Sequence, residues 1–227
     1  MAQTYYYTKD PTRLTRFLIM MLKLFLVTAI LFVIANISHL SLIAYSGLGP
    51  LVEIIPYMLI FFAFHITLVI TYTAFLWWKY RANLNCHGFG AQGMRFKPES
   101  VTVYYGIPFL NLVKPYQAMT EIWKVSKNPS RWQNEKGSPL IIWWWILWLG
   151  FWALFSLKHF INPFDDAIAD ILHLPSSMDV LFIIVFLAGI ICVCACIVTI
   201  RLVSAIYAMQ EGLVRGQSYE REKFYKG

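Results

Sequence analysis

The apolar residues of this chain are gathered into four long blocks, which polar connections separate. The blocks cover residues 17–42, 54–78, 140–157 and 180–200. A helix that crosses a bilayer needs about 20 predominantly apolar residues, and each block is close to that length. The pattern therefore predicts an all-α integral membrane protein with four transmembrane helices.

The connections differ in charge, and this difference predicts the orientation. Lys and Arg are concentrated before the first block, between the second and third blocks, and after the fourth, whereas the loop 158–179 is acidic. Because cytosolic loops carry an excess of Lys and Arg, we predict that both termini and the long connection are cytosolic. The chain then divides into a cytosolic leader (1–16), a first transmembrane hairpin (17–78), a cytosolic motif block (79–139), a second hairpin (140–201) containing the outer loop 158–179, and a cytosolic tail (202–227).

Composition agrees with a membrane protein and excludes several other classes. The chain is 59% hydrophobic and 14% charged, whereas soluble domains carry roughly 25% charged residues. No cleavage pattern follows the first block, so the first span is expected to stay in the mature protein. Three of the four cysteines lie inside an apolar block, which argues against a disulfide framework. The formal net charge of the whole chain is +7, but the sign of the charge differs from loop to loop. We predict no nucleic-acid partner.

The motif block contains three features with different physical meanings. Glycines at 88, 90 and 93 permit tight turns but form no nucleotide-binding pattern. The apolar run Val101–Val113 is too short to span, is broken by Pro108 and contains Asn111; it is predicted to be either re-entrant or interfacial. From Tyr116 to Ser126 the apolar residues recur at helical spacing, which predicts an amphipathic helix.

Several short motifs in this block resemble a known family. They are WKYRANL at 78–84, Pro98, IPFLNLVKPYQAM at 107–119, and EIW at 121–123 followed by Ser126. The series resembles the bacterial membrane-protein family known as domain of unknown function 4328. The resemblance implies a multi-helix bacterial integral membrane protein and brings no activity or cofactor. The motif residues that we single out for a possible interaction are Trp78, Tyr80, Arg81, Asn83, Pro108, Asn111, Lys114, Pro115, Tyr116, Glu121 and Trp123.

Glu121 is the one acidic residue among these motif residues. We hypothesise that it forms an ion pair with Arg81 or Lys114, because a partly buried carboxylate needs a partner. Such a pair would fix the amphipathic helix to the base of the second span. The alternative interpretation is a solvated charged face beside phospholipid headgroups.

The outer loop holds a weak candidate metal site. On a helix Asp166, Asp170 and His173 would share one face, and oxygen and imidazole ligands suit several divalent metals. The spacing matches no specific metal motif. The alternative is a short interfacial helix whose first turn is stabilised by Asp165 and Asp166.

The spans contain one notable ionisable residue. His65 lies near the middle of the second block, where such a residue suggests a ligand contact or proton relay. The simpler prediction is a neutral His bonded to a neighbouring helix. In the fourth block Cys192 and Cys196 share a helical face and Cys194 points elsewhere, which favours packing over a soft-metal site.

Three functions remain open at this stage. The first is a scaffold or accessory subunit of a membrane complex that docks through the motif block, since no nucleophile–base set is recognisable. The second is a small-solute transporter or channel that acts as an oligomer, with His65 in its path. The third is a metal-dependent membrane enzyme that uses the outer loop. The predicted location is the bacterial cytoplasmic (inner) membrane, and the predicted partners are the bilayer, its anionic headgroups, and a membrane protein or a second copy of the chain; no cofactor is predicted.

Overall fold

The computed structural model describes the backbone of residues 5–45, 50–161 and 177–225, and the side chains of 5–36, 55–157 and 183–216. The described residues form helices and turns without a strand. In chain order the helices are α1 (Thr12–Tyr45), α2 (Pro50–Gly88), α3 (Ser100–Val103), α4 (Lys114–Lys127), α5 (Pro139–Ile161) and α6 (Ser177–Tyr225), with short 3₁₀ turns at Leu110–Leu112 and Trp132–Asn134.

Four of these helices, α1, α2, α5 and α6, are long and apolar enough to cross a membrane. They coincide with the four blocks of the sequence pattern, so the prediction of an all-α chain with four such helices is confirmed. All four helices run further than the apolar blocks, and two of them extend well beyond their block at the C-terminal end. Helix α2 continues from Trp78 to Gly88, and α6 continues from Ile200 to Tyr225. Neither extension contains a proline, the residue that breaks a helix most strongly.

The predicted amphipathic helix is confirmed as α4. Pro115 stands in its first turn, where the missing amide hydrogen costs little. Lys124 and Lys127 stand in its last turn, where cations favour the negative helix end. The preceding apolar run forms the single turn α3, an irregular bend and a 3₁₀ turn, and none of these is long enough to span a membrane.

The chain divides into two compact units. One contains residues 1–20, 71–143 and 199–227, and we call it the motif unit; the other contains residues 21–70 and 144–198, and we call it the bundle unit. Each long apolar helix contributes to both.

The bundle unit is held together by packed aromatic and small side chains. Phe32 and Phe64 stack with ring centroids 4.7 Å apart, and Phe25 lies 5.3 Å from Phe64. The Thr28 and Thr67 hydroxyls bond across α1 and α2 at 2.8 Å. Cys192 and Cys196 are buried in this core and Cys194 is exposed, as the helical spacing predicts.

Candidate docking site in the motif unit

The motif unit is built on two helices that run side by side in the same direction. The amino group of Lys79 bonds to the carbonyl of Pro115 at 2.9 Å, and the thiol of Cys86 lies 3.8 Å from the carbonyl of Ile122. Both contacts join residues 36 positions apart. The extension of α2 beyond the predicted span is therefore the surface on which α4 packs.

Lys79 is fully buried at the start of this contact. Its amino group also donates to the hydroxyl of Tyr105 at 3.1 Å and lies 4.8 Å from the centre of that ring. Burial raises the pKa of Tyr105 well above its ordinary value, with a smaller contribution from Tyr72. The ring of Tyr105 packs edge-on against Tyr72, with centroids 6.1 Å apart. Lys79 and Tyr72 thus hold the segment before α4 against the side of α2.

Glu121 is buried, 2% exposed, and it does not form the predicted ion pair. Its carboxylate accepts the backbone N–H groups of Arg95 at 2.9 Å and Phe96 at 3.2 Å. The guanidinium of Arg95 approaches only to 4.0 Å, and that side chain is 69% exposed. The predicted pairing of Glu121 with Arg81 or Lys114 is therefore wrong. The carboxylate instead holds the glycine-containing loop that follows α2.

Arg81 has a different task from the one predicted, since it contacts the leader. Its guanidinium donates to the carbonyl of Asp10 at 3.0 Å. The amide of Asn85 exchanges two 3.0 Å hydrogen bonds with the backbone of Lys9. The indole of Trp78 donates to the hydroxyl of Thr15 at 3.1 Å. The leader and the start of α1 are therefore fixed along the α2 extension.

A buried polar cluster lies where α2 contacts α4. The amide of Gln210, on α6, donates to the hydroxyl of Ser126 at 3.0 Å and to the carbonyl of Ala82 at 3.2 Å. Cys86 lies 3.5 Å from the same amide nitrogen. These contacts join α2, α4 and α6 and leave no accessible thiol, so the cluster is structural.

Asn83 lies between Lys79 and this cluster and is fully buried. Neither atom of its side-chain amide has a hydrogen-bond partner among the described residues. The helix contact at constant offset places Asn83 level with Met119 of α4, which offers no strong acceptor or donor. A buried unsatisfied amide costs about 1–3 kcal/mol, so the motif carries an energetic penalty at this position.

The surface of the motif unit has an exposed apolar loop, residues 103–113. Phe109 at its tip is 84% exposed and has a positive φ of 63°. The N–H of Leu110 bonds to the carbonyl of Pro108 at 2.7 Å, which closes a γ-turn around Phe109. Turns of this hand are rare and strained. The large apolar side chains exposed along the loop are Val103, Ile107, Phe109, Leu110, Leu112 and Val113.

A second exposed feature is a set of basic side chains in two segments of the motif unit. We call Lys97, Arg131 and Lys136 the basic rim; all three are exposed. They lie in the loop after α2 and in the connection before α5. The indole of Trp132 and the amide of Gln133 both donate to the carbonyl of Gln92, at 2.8 Å and 3.0 Å, and so join these two segments.

The other motif residues occupy supporting positions. Pro108 is exposed in the apolar loop. Lys114 lies with its amino group 5.8 Å from the centre of the Phe96 ring. Half-buried side chains are found at Tyr80, Asn111, Tyr116 and Trp123.

His65 lies in the bundle unit, and its hydrogen bond differs from the predicted one. Its Nδ1 lies 2.8 Å from the carbonyl of Phe61, one turn earlier in α2. The predicted bond to a neighbouring helix is therefore wrong, because a ring nitrogen at this position reaches its own helix backbone first. The candidate metal ligands Asp166, Asp170 and His173 lie outside the described residues.

Sequence reasoning missed Lys79, Tyr105, Cys86 and Gln210 as organisers of the motif unit. One signal was available. Lys79, Asn83 and Cys86 recur at i, i+4 and i+7, which is the period of one helical face. This spacing would have predicted that the second helix continues beyond Trp78. The contribution of Gln210 had no local signal, because it comes from a helix 124 residues away from Cys86 in sequence.

Four long apolar helices and a folded unit between the second and third define the class of this chain: it is a helical, multi-pass membrane protein. Residues 56–207 match the family described as Domain of unknown function (DUF4328), and the chain belongs to that family. The match contains the motif series from Trp78 to Ser126, so the resemblance inferred from those motifs is confirmed. No curated protein and no solved structure matches the chain.

Proposed function

We propose that this protein is a scaffold or accessory subunit of a membrane complex, and that it docks its partner through the motif unit. The observation that carries the proposal is the combination of a firmly bonded interior with an exposed apolar loop and a basic rim. The buried polar residues Lys79, Glu121 and Gln210 bond to backbone groups and thereby fix helices and loops. A rigid unit with exposed recognition surfaces is what a docking module requires.

The proposed location is the bacterial cytoplasmic membrane, with both termini and the motif unit in the cytosol. The excess of Lys and Arg in the leader, the motif block and the tail supports this orientation. The acidic character of the loop 158–179 supports an opposite, outer location for that loop.

We propose that the apolar loop is interfacial and not re-entrant. Tyr105, near its start, packs against Tyr72 and Lys79, so the loop lies beside the end of the second span. Its backbone groups bond within the loop, for example Asn111 N–H to the carbonyl of Ile107 at 3.0 Å. Backbone that enters an apolar environment needs such internal bonds. The exposed side chains would then enter the boundary between headgroups and acyl chains.

The basic rim is proposed to bind an acidic surface of a second membrane protein. Part of the same charge could serve anionic lipid headgroups, since a basic residue near the bilayer gains about 1 kcal/mol from them. Interface charges mainly set partner choice and association rate. Reversal of rim charges is therefore expected to remove the partner while the fold remains.

The transport alternative has less support within the described residues. A channel needs a polar path, whereas the cavity of the bundle unit is walled by aromatic and aliphatic side chains with His65 as its one ionisable residue. A scaffold requires no such path.

The test is native mass spectrometry of the protein extracted gently from its own membrane at its natural level. Wild type is compared with a triple charge reversal, Lys97→Glu, Arg131→Glu and Lys136→Glu. The matched control keeps every charge: Lys97→Arg, Arg131→Lys and Lys136→Arg. We expect a stoichiometric protein partner with wild type and control, and its loss with the reversal. A homo-oligomer that carries only lipid, or a partner that survives the reversal, would contradict the proposal.

A further inference from the structure

The bundle unit contains a partly open cavity that the proposed function does not use. Its volume is about 140 Å³, and residues from all four long helices line it. An apolar cavity of about 150 Å³ stays dry and accepts one benzene-sized molecule. The size of the space therefore matches a single six-membered ring.

The walls of the cavity are mainly aromatic. Phe32 of α1 stacks on Phe64 of α2 at 4.7 Å between ring centres, and both line the space. Phe151 and Phe155 of α5 also line the space and stack on each other, with centroids 6.0 Å apart. Aromatic rings favour offset-stacked or edge-on contact with other rings. This lining favours a flat aromatic ligand.

Helix α6 contributes two small residues to the lining beside Ile184 and Val185. Ala188 and Gly189 both line the cavity. Gly189 cannot be enlarged, since an added Cβ would collide with the Cγ2 of Val33. Ala188 already carries a Cβ at the cavity wall and is the position at which a larger side chain would fill the cavity.

His65 gives the cavity one defined polar group. A carbonyl only accepts hydrogen bonds, so the Nδ1 that lies 2.8 Å from the carbonyl of Phe61 carries the hydrogen. In a neutral imidazole the other nitrogen, Nε2, is then an acceptor. The ring is held between Phe61 and Phe64, at centroid distances of 4.1 and 5.2 Å. No described residue is bonded to Nε2, and the ring is half-buried at the cavity.

From this geometry we infer that the bundle unit binds a small aromatic alcohol, a phenol-sized ring whose hydroxyl donates to Nε2 of His65. The ring fills the space between Phe64 and the α5 phenylalanines. The hydroxyl of the ligand supplies a hydrogen-bond donor to Nε2 of His65, which no described residue of the cavity wall supplies. This site is independent of the docking surface, so either proposal can fail without the other.

The experiment uses the full chain in lipid nanodiscs, with 4-fluorophenol and fluorobenzene as probes and ¹⁹F NMR as the readout. Empty nanodiscs correct for partition into lipid. The variants are His65→Phe, which removes the acceptor and keeps a ring, and Ala188→Leu, which fills the cavity. The matched control is Ala208→Leu, on an exposed position of the same helix. Near-ultraviolet circular dichroism of each variant reports whether it is folded.

We expect saturable binding of 4-fluorophenol to wild type and to Ala208→Leu, about tenfold tighter than fluorobenzene, which is the effect of one hydrogen bond near the upper end of its usual range. His65→Phe should bind both probes equally, and folded Ala188→Leu should bind neither. If Ala188→Leu does not fold, the preference of wild type for the phenol and its loss in His65→Phe decide the question. Absence of saturable binding to wild type, equal binding of the two probes, or binding that persists in folded Ala188→Leu would overturn the inference.

Discussion

The contact of Glu121 with the loop after α2 predicts a strong and specific effect of removing its carboxylate. Glu121→Ala deletes the acceptor of two backbone N–H groups, those of Arg95 and Phe96. A hydrogen bond to a charged group contributes about 1.5–3 kcal/mol. The two bonds together therefore give an expected loss of about 3–6 kcal/mol in the free energy of unfolding. The N–H of Phe96 would be left buried without its acceptor.

The matched variant is Arg95→Ala. It keeps both backbone bonds and removes only an exposed guanidinium at 4.0 Å, and exposed ion pairs contribute about 0–1 kcal/mol. Unfolding of both variants is followed by denaturant titration in mixed micelles, and hydrogen exchange reports the amides of 95 and 96. Glu121→Ala should be much less stable than wild type and should lose protection at those amides, whereas Arg95→Ala should stay near wild type. Equal losses in the two variants would show that Glu121 acts through an ion pair with Arg95 and not through the backbone N–H groups.

Three further outcomes are expected. Asn83→Leu should raise the free energy of unfolding by about 1–3 kcal/mol, because it removes a buried unsatisfied amide; a lower stability would show that the amide has a bound partner. A nitroxide on Phe109→Cys, in a Cys194→Ser background, should be relaxed more by oxygen than by a water-soluble nickel chelate, with Gln133→Cys as the exposed control; the reverse order would exclude insertion of the apolar loop. Hydrogen bonds from Thr12 lower the pKa of Asp10, so its contribution to stability should be present above about pH 4 and lost as pH falls through the folded pKa; an Asp10→Asn variant that keeps the same acid dependence as wild type would contradict this.

The four apolar helices and α4 could be predicted because their signals are local. A block of about 20 apolar residues has few alternatives to a spanning helix, and the spacing of Met119, Ile122 and Trp123 defines one face of a short helix. The structure needs no distant residue to explain these elements.

The candidate site was only half predictable, for reasons that are physical. The motif residues identified the correct region, but Glu121 was assigned a side-chain partner when it binds backbone, and backbone donors leave no trace in residue identity. The ends of α2 and α6 were misplaced because hydropathy marks where a helix leaves the apolar phase and not where it stops. Lys79 was counted as a loop charge, although its burial follows from the position of Tyr105, which is 26 residues away.

The bond between the hydroxyl of Tyr7 and the carboxylate of Glu211, 2.8 Å long, joins residues 204 positions apart. At a synthesis rate of about 5–20 residues per second, Tyr7 is incorporated roughly 10–40 s before Glu211. During that interval the leader lacks α6, which supplies partners to Tyr7 and Thr12. The hydroxyl of Thr12 lies 3.2 Å from the hydroxyl of Tyr207. A nascent chain that lacks α6 would therefore hold its leader through α2 alone, without the bonds that Tyr7 and Thr12 make to α6.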